Sequence, residues 1–316
     1  MAAAIRCKKS VRMTLPYQGT AHPPGPAGLS GPTGNTLWQK PTHTPPPNAT
    51  PAVRKTVMPL PLDDSTSKNA HAVTLPLFNQ RGPAFDDVQQ APSLMNCPVA
   101  SILAALAFTT AGRLAITKLI KESSGATETQ FPGLKSGDLV DPPAGMKIAS
   151  SRYFTVALPR GTQVVSDVLY TDDADRGWSA LYMRDPRDKC MWAAVIEKAL
   201  ALQLGSYRDF DFDAKPVTAN EFFEKLTGAK PGGFAIDKHT PAAKIIAAAQ
   251  DSTKVSSIAA SKPDMRDVSK VTAFHGHAML GMQGKSIRLY DPAKAKTLLL
   301  TVAEFQHDFQ AILIKK

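Results

Sequence analysis

Apolar residues recur at three- and four-residue spacing in several stretches of the chain, and this period predicts helices. The longest stretch, PVASILAALAFTTAGRLAITKLIKES, predicts one long helix or two, opened just after Cys97, because Pro98 is well suited to the first helical position. Gly205 is a natural stop for a second helix, and Thr218 with Glu221 forms a capping box that opens a third. The remaining helical stretches read MWAAVIEKALALQL, TANEFFEKLT and PAAKIIAAAQ.

Strand patterns occupy other parts of the chain. RYFTVAL and GTQVVSDVLY alternate between apolar and polar residues and predict strands. Toward the C-terminus, AFHGHAMLGMQ and KSIRLYDP predict two strands joined by a turn at Gln283 and Gly284, and TLLLTVAEFQHDFQAILIKK predicts a short helix leading into a last strand. Helices come early and antiparallel strands come late, which predicts the α+β class.

Composition divides the chain into a tail and a body. The first 62 residues hold 12 of the 26 prolines and seven Lys or Arg residues but no acid, which predicts a disordered basic tail over 1–80. The whole chain of 316 residues is 43% apolar and 20% charged, which is typical of globular proteins, and we expect an ordinary globular fold after the tail. The run from Pro98 to Ile120 is interrupted by Arg113 and Lys118, so it predicts a buried helix and not a membrane span.

Charge and cysteine content narrow the possible partners and compartments. The net charge of +10 is spread out and accompanies no nucleic-acid-binding motif, so we expect neither a nucleic acid nor a membrane partner. Cys7, Cys97 and Cys190 lie far apart without CxxC spacing, which favours a reducing compartment over a disulfide framework. The N-terminus has no signal-peptide core, so we expect a cytoplasmic monomer, or a protein secreted into a target cell without a cleavable signal.

Three residue types point to cysteine-dependent catalysis. Cys97 stands at a predicted helix N-terminus, where backbone N–H groups and the helix dipole stabilise a thiolate. His275 and His277 share one strand face, and either could accept the thiol proton; together they could instead bind a metal. Asp291, at the end of the paired strand, could orient the imidazole. Taken singly, Cys97 reads as a buried cysteine and Asp291 as the start of a turn; together they follow the chain order of papain-like cysteine proteases.

The segments around these residues resemble the calpain catalytic core. MWAAVIEKALALQLGSY is similar to a Trp-containing helix of that family, which runs through Glu-Lys-Ala to Gly-Ser-Tyr. RYFTVALPRGTQVVSDVLYTDD resembles its strand pair ending in acidic residues, FFEKLTG its Phe-x-x-Leu-Thr-Gly segment, GHAML its Gly-His-Ala motif and AEFQHDFQAILI its closing segment. The similarity spans roughly 84–316 in the family's order. The matched helix residues are Trp192, Glu197, Lys198, Ala199, Gly205, Ser206 and Tyr207.

This resemblance implies a papain-like fold in two halves, with the active site in the cleft between them. The catalytic domain is placed at 81–316, as a helical subdomain at about 81–230 that carries Cys97 and a sheet-rich one at about 231–316 that carries His277 and Asp291. The Gly-His-Ala match selects His277 over His275 as the base. The resemblance further implies a mechanism, in which the Cys97 thiolate attacks a peptide carbonyl and forms an acyl-enzyme, which water then hydrolyses.

The resemblance also implies an oxyanion-stabilising glutamine upstream of the nucleophile, for which Gln90 is the first candidate and Gln89 the second. The sequence departs from the family around the site. Calpains have Gly-Asp-Cys-Trp where this chain has Met95, Asn96, Cys97 and Pro98, and they have Asn-Pro-Trp where this chain has Asp291, Pro292 and Ala293.

Cofactors are not expected from the sequence. No EF-hand loop of the DxDxDG type is present, and calcium is considered only at the alternating Asp209, Asp211 and Asp213, whose spacing favours a solvated face.

Together with the resemblance to calpains, the sequence predicts an endopeptidase that acts on a protein substrate, in the manner of a bacterial effector. Two other functions stay open, namely a papain-like deamidase or acyltransferase and a catalytically inactive calpain fold used for binding.

Overall fold

The computed structural model describes residues 70–90, 96–124, 152–172, 179–180, 182–205, 207, 218–263 and 270–316. Most of the predicted tail therefore lies outside the described residues. The helices are α1 Cys97–Phe108, α2 Thr110–Leu119, α3 Trp192–Leu204, α4 Ala219–Thr227, α5 Ala242–Asp251 and α6 Val302–Asp308, with a 3-10 turn at Phe85–Asp87. The strands are β1 Ala70–Ala72, β2 Ile120–Ser124, β3 Arg152–Leu158, β4 Gly161–Ser166, β5 Val168–Asp172, β6 Ser179–Ala180, β7 Gly232–Ala235, β8 Ser257–Ser261, β9 Gly276–Gln283, β10 Ser286–Asp291, β11 Lys296–Thr301 and β12 Phe309–Ile314.

The first long apolar stretch folds as two helices that meet at Thr109. This residue ends α1, and its side chain accepts a hydrogen bond from the Gly112 N–H at the start of α2. The chain bends by 113° there, and no single helix among the described residues has the length and apolar content to cross a membrane. The sequence predicted a helix that continues past Leu119, and this was wrong. Ile120 is instead the first residue of β2, where it pairs with Val156.

The capping signals of the other helices are confirmed. Thr218 and Glu221 form the reciprocal capping box of α4, which ends at Gly228 in the left-handed region at φ 75°. Gly205 follows α3 with a φ of 113°, a conformation that favours glycine. The predicted helix boundaries depend on these local side-chain and backbone effects, and so the sequence located them well.

The C-terminal part of the chain forms a six-stranded antiparallel sheet in the order β11-β10-β9-β8-β12-β7. Two three-stranded sheets, β2-β3-β4 and β1-β5-β6, are formed by earlier strands. The fold is therefore α+β, with helices followed by an antiparallel sheet, as the sequence predicted. A two-residue loop of Gly284 and Lys285 joins β9 to β10, with Gly284 at φ 60°.

The central strands β8 and β9 are buried on both faces of the six-stranded sheet, and successive side chains of each strand point to opposite faces. Ala278 and Leu280 of β9 belong to the apolar cluster that contains most of α1. Met279, between them, belongs to a second cluster with residues of α5 and α6. The sheet therefore separates helix α1 from helices α5 and α6, and a residue's position in β9 decides which helices it faces.

Candidate active site

His277 and Asp291 lie side by side on adjacent strands. The register pairs Tyr290 with Ala278, so that Asp291 is the next position along β10 and His277 the preceding one along β9. Cross-strand neighbours of this kind bring their side chains close together. The Nε2 of His277 is 3.7 Å from Asp291 Oδ2, and both side chains are fully buried. The hairpin thus produces the His–Asp pair that the sequence predicted.

The same carboxylate has a second imidazole beside it. His275 Nε2 lies 3.2 Å from Asp291 Oδ1, and the rings of His275 and His277 meet edge to face with centroids 5.0 Å apart. Thr272 Oγ1 donates to Asp291 Oδ2 over 2.6 Å, and the Ala293 N–H donates to Oδ1 over 2.9 Å. Asp291 is therefore held by its own turn and by Thr272, and it has one histidine near each oxygen.

The charges in this cluster follow from its burial. Burial alone would raise the pKa of Asp291, but His275 and His277 outweigh it and hold the pKa of that carboxyl far below its usual range. Burial lowers the pKa of His277, and the nearby Asp291 offsets this only in part. Near neutral pH the site thus combines an ionised Asp291 with a neutral His277, which is the protonation state that a general base requires.

Cys97 is the first residue of α1, one position earlier than the sequence predicted, and this end of the helix lies against the start of β9. A Cβ added to Gly276 would be 2.6 Å from Ser101 Oγ and 3.3 Å from the Cys97 carbonyl oxygen. Ser101 Oγ also donates to that carbonyl over 2.8 Å. Gly276 therefore permits a close approach between β9 and the first turn of α1, and it immediately precedes His277.

The side chains on the two sides of this contact are strongly buried. Alternation along β9 directs Ala278 toward α1, whereas the His277 ring packs against Phe309 with centroids 5.2 Å apart. Cys97 is 2% exposed and His277 is 0% exposed. Cys97 and His277 are thus neighbours through the backbone of Gly276, whereas the His277 side chain lies on the side of the sheet that carries Phe309.

The candidate oxyanion residue Gln90 reaches the same region. Its N–H donates to the Pro292 carbonyl over 3.0 Å, directly after Asp291, and the Tyr290 hydroxyl donates to the Val88 carbonyl over 2.8 Å. Gln89 is engaged elsewhere, because its Oε1 accepts from Arg184 Nε over 3.1 Å. Gln90 is the better placed of the two candidates, and residues 91–95, which lead from it to α1, lie outside the described residues.

A partly buried ionic network, which no sequence pattern indicated, supports the Gln90 segment. Arg187 binds Asp86, Asp87 and Asp185 at 2.7, 2.6 and 3.2 Å, and Trp192 Nε1 donates to Asp87 over 3.1 Å. These contacts tie the 3-10 turn before Val88 to the start of α3. The residues are separated by about a hundred positions, and short-range patterns in sequence carry no signal for such contacts.

The same network includes three side chains whose spacing could suit a metal ion, the one such group found within the described ranges. Single ligand atoms of Asp87, Asp185 and Cys190 lie within 4.8 Å of one another. Arg187 already binds both carboxylates, and burial raises the pKa of the Cys190 thiol, so this group forms a protein ion-pair network. The alternating Asp209, Asp211 and Asp213 lie outside the described residues.

An apolar cavity of about 200 Å³ lies away from this site. Leu103 and Leu106 of α1 line it, together with Ile116 of α2 and Leu226 of α4. Leu103 and Leu106 are in the second half of α1, more than one helical turn beyond Cys97. The cavity is therefore separate from the candidate site.

No protein-family model matches the chain, and no curated protein matches it significantly.

Proposed function

We propose that this protein is a calpain-like cysteine endopeptidase with a papain-like two-lobed fold. The observation that carries the proposal is the position of the buried His277–Asp291 pair, one residue from the contact between Gly276 and the helix turn that begins with Cys97. The resemblance of the surrounding segments to the calpain core gives this arrangement its chemical interpretation, because a catalytic triad is recognised by the roles of its members taken together.

In the proposed reaction, His277 Nδ1 removes the proton from the Cys97 thiol, and the thiolate attacks the carbonyl carbon of a peptide bond. The carbonyl oxygen becomes an oxyanion, which the Gln90 side-chain amide and the Cys97 backbone N–H stabilise, a contribution of about 3 kcal/mol in comparable sites. The imidazolium then returns the proton to the leaving amine, and a thioester remains. Water, deprotonated by His277, hydrolyses this thioester and releases the second fragment with free Cys97.

Asp291 orients the ring in this scheme. Its carboxylate faces Nε2 of His277, which leaves Nδ1 as the nitrogen that exchanges protons with the thiol. In the calpain family an asparagine serves this purpose. The aspartate here is surrounded by His275, Thr272 and two turn N–H groups, and these contacts compensate for burying a negative charge.

The proposal is tested by mapping new protein N-termini after a candidate target proteome is exposed to wild type and to Cys97→Ala. We expect new termini that appear with wild type and are absent with Cys97→Ala, while the two proteins show the same thermal unfolding. Deamidation or acyl transfer by the same residues would leave the chains intact and change their mass, by about one mass unit for deamidation. Termini that are the same for both proteins would refute the endopeptidase.

The burial of the two central side chains favours one other function. Cys97 at 2% and His277 at 0% exposure are less accessible than a substrate requires, and Pro98 replaces the tryptophan of the family. A catalytically silent version of the fold, used to bind another protein, would have these properties. In that case Cys97→Ala would leave partner binding and every phenotype unchanged.

A further inference from the structure

A buried hydrogen bond connects the middle of α3 to the residue just before Cys97. Glu197 and Asn96 are both 0% exposed, and Asn96 Nδ2 and Glu197 Oε1 are hydrogen-bonded. The second carboxyl oxygen of Glu197 accepts from the Met183 backbone N–H over 2.8 Å. Glu197 thus uses both oxygens to tie α3 to two other segments, one of which leads directly into the candidate nucleophile.

Asn96 is the N-cap of α1, and its side chain makes no capping bond to the helix. Asparagine is favoured at this position because its side chain usually accepts a bond from the first turn. Here the side chain turns to Glu197, while the Asn96 carbonyl accepts the first helical hydrogen bond from the Ala100 N–H over 3.1 Å. The point at which α1 starts, and so the position of Cys97, is therefore set partly by a contact with α3.

We propose that Glu197 is a positioning residue, which acts through Asn96 to hold Cys97 at the N-terminus of α1. This inference deepens the proposed function, since it presupposes that Cys97 is the nucleophile. Glu197 touches neither Cys97 nor a substrate group in this role. It keeps the backbone of residue 96 in one place, and an error of about 1 Å at a nucleophile is enough to lower a rate substantially.

The protonation state of Glu197 suits this contact. Burial raises the pKa of Glu197 to about 8, and the hydrogen bonds from Met183 and Asn96 only partly oppose the rise. A neutral carboxyl group keeps both of these bonds, because its oxygens still accept from Asn96 Nδ2 and from the Met183 N–H. The charged neighbours of these residues are directed elsewhere, namely Lys198 toward Ser166, Arg184 toward Gln89 and Asp185 toward Arg187.

The experiment compares wild type, Asn96→Ala and Glu197→Gln in the full chain. The readouts are the rate of iodoacetamide alkylation at Cys97, kcat and KM on a substrate found by N-terminal mapping, and thermal unfolding. We expect Asn96→Ala to lower kcat and the alkylation rate by about tenfold or more with little change in KM. Glu197→Gln should stay within roughly threefold, because its amide oxygen can keep the Met183 bond while its amide nitrogen donates to Asn96 Oδ1.

Thr109→Val is the matched control. Thr109 is also a buried polar residue at an end of α1, but it lies at the end opposite Cys97. We expect this variant to lower thermal stability without changing the reactivity of Cys97. If Asn96→Ala and Thr109→Val change the Cys97 alkylation rate to the same extent, or neither changes it, the positioning role is refuted.

Asn96→Asp provides a second test that keeps the size of the side chain. Two buried carboxyl groups in contact must share a proton, and they repel each other once both ionise. The alkylation rate of Asn96→Asp relative to wild type should therefore fall between about pH 6 and pH 9. A constant ratio would overturn the inference, including in the case where Asn96→Ala does not fold.

The outcomes separate this inference from the proposed function. If wild type produces no Cys97-dependent cleavage but Asn96→Ala still slows alkylation of Cys97, the positioning role stands and the endopeptidase fails. If wild type cleaves its substrates and Asn96→Ala alkylates and cleaves at the wild-type rate, the endopeptidase stands and the positioning role fails.

Discussion

At the scale of single residues, two histidines lie beside Asp291, one just before β9 and one within it. His275 lies closer to the carboxylate, at 3.2 Å, whereas His277 directly follows the glycine that touches the Cys97 turn. Distance to Asp291 alone would therefore select His275 as the base. The Gly-His-Ala resemblance selects His277 in the proposed function, and the two choices give different results on substitution.

Substitution of each histidine by glutamine distinguishes these roles. His277→Gln should lower kcat/KM by roughly 10²- to 10⁴-fold, because it removes the general base. His275→Gln should lower it by less than about tenfold, because Asp291 keeps its bonds to Thr272 and to its own turn. Steady-state kinetics on a mapped substrate measure both effects. A larger loss in His275→Gln than in His277→Gln would make His275 the base.

Asp291 also predicts how stability depends on pH. Its pKa is lower in the folded protein than in the unfolded chain, so its contribution is present above the unfolded value of about 3.8 and is lost as the pH falls below it. Asp291→Asn should cost roughly 1–3 kcal/mol at neutral pH, by analogy with other buried charged hydrogen bonds. The difference from wild type should shrink steadily below about pH 4.

Urea unfolding of wild type and Asp291→Asn between pH 3 and pH 7 measures this difference. Asp172→Asn offers a comparison at another aspartate that ends a strand. The explanation fails if the stability difference between Asp291→Asn and wild type stays the same at pH 3 and pH 7.

Glu197 affects the pH dependence of folding stability in the opposite direction to Asp291. Because its pKa is about 8 in the folded protein and 4.5 ordinarily, folding becomes less favourable as the pH rises between these values. Glu197→Gln removes this loss, so its stability relative to wild type should increase from pH 5 to pH 9 by up to roughly 4 kcal/mol. Urea unfolding of both proteins at pH 5 and pH 9 tests this prediction. If the stability difference between Glu197→Gln and wild type is the same at both pH values, Glu197 does not titrate in this range.

At the scale of elements, the close approach of β9 to α1 makes Gly276 a critical position. Gly276→Ala places a methyl group 2.6 Å from Ser101 Oγ and 3.3 Å from the Cys97 carbonyl, so the Ser101 hydroxyl must rotate or the strand or helix turn must shift. We expect a loss of roughly 1–3 kcal/mol in the free energy of unfolding, typical of overpacking, and a larger fractional loss of activity. Chemical denaturation and kinetics on the same preparations measure the two effects.

The double variant Gly276→Ala with Ser101→Ala is the control for this prediction. Removing Ser101 Oγ eliminates the nearest contact, although the Cys97 carbonyl stays 3.3 Å away. The double variant should therefore recover part of the stability that Gly276→Ala loses, beyond the effect of Ser101→Ala alone. Strictly additive effects would mean that the clash with Ser101 is not the cause.

Elements with strong local signals were predictable, and those without such signals were not. α3 and α4 have apolar periodicity and caps, and the β9–β10 hairpin has alternating residues around a glycine loop. β8 reads SIAAS and is buried on both faces, so it shows no alternation, and serine and alanine have little strand preference. β7, with two glycines, and β11 were likewise not predicted as separate strands.

At the scale of the whole molecule, the sequence predicted that His277 and Asp291 lie close together, but it did not predict what supports the candidate residues. The Cys97 carbonyl lies close to Gly276, next to His277, and the Gln90 N–H bonds to Pro292, next to Asp291. Their supports come from distant parts of the chain: Arg187 holds the turn before Gln90 across a hundred positions. Such long-range pairs depend on the complete packing of α3 against the other elements, which no local pattern reveals.

The central claim is that Cys97 is a nucleophile activated by His277. The most direct measurement is the rate of iodoacetamide alkylation at Cys97, Cys190 and Cys7 near pH 7, followed by peptide mass spectrometry in wild type and in His277→Gln. We predict that Cys97 in wild type reacts at least about tenfold faster than the other two thiols and loses this advantage in His277→Gln. Alkylation of Cys97 no faster than that of Cys7 or Cys190, or at the same rate in both proteins, would contradict the claim.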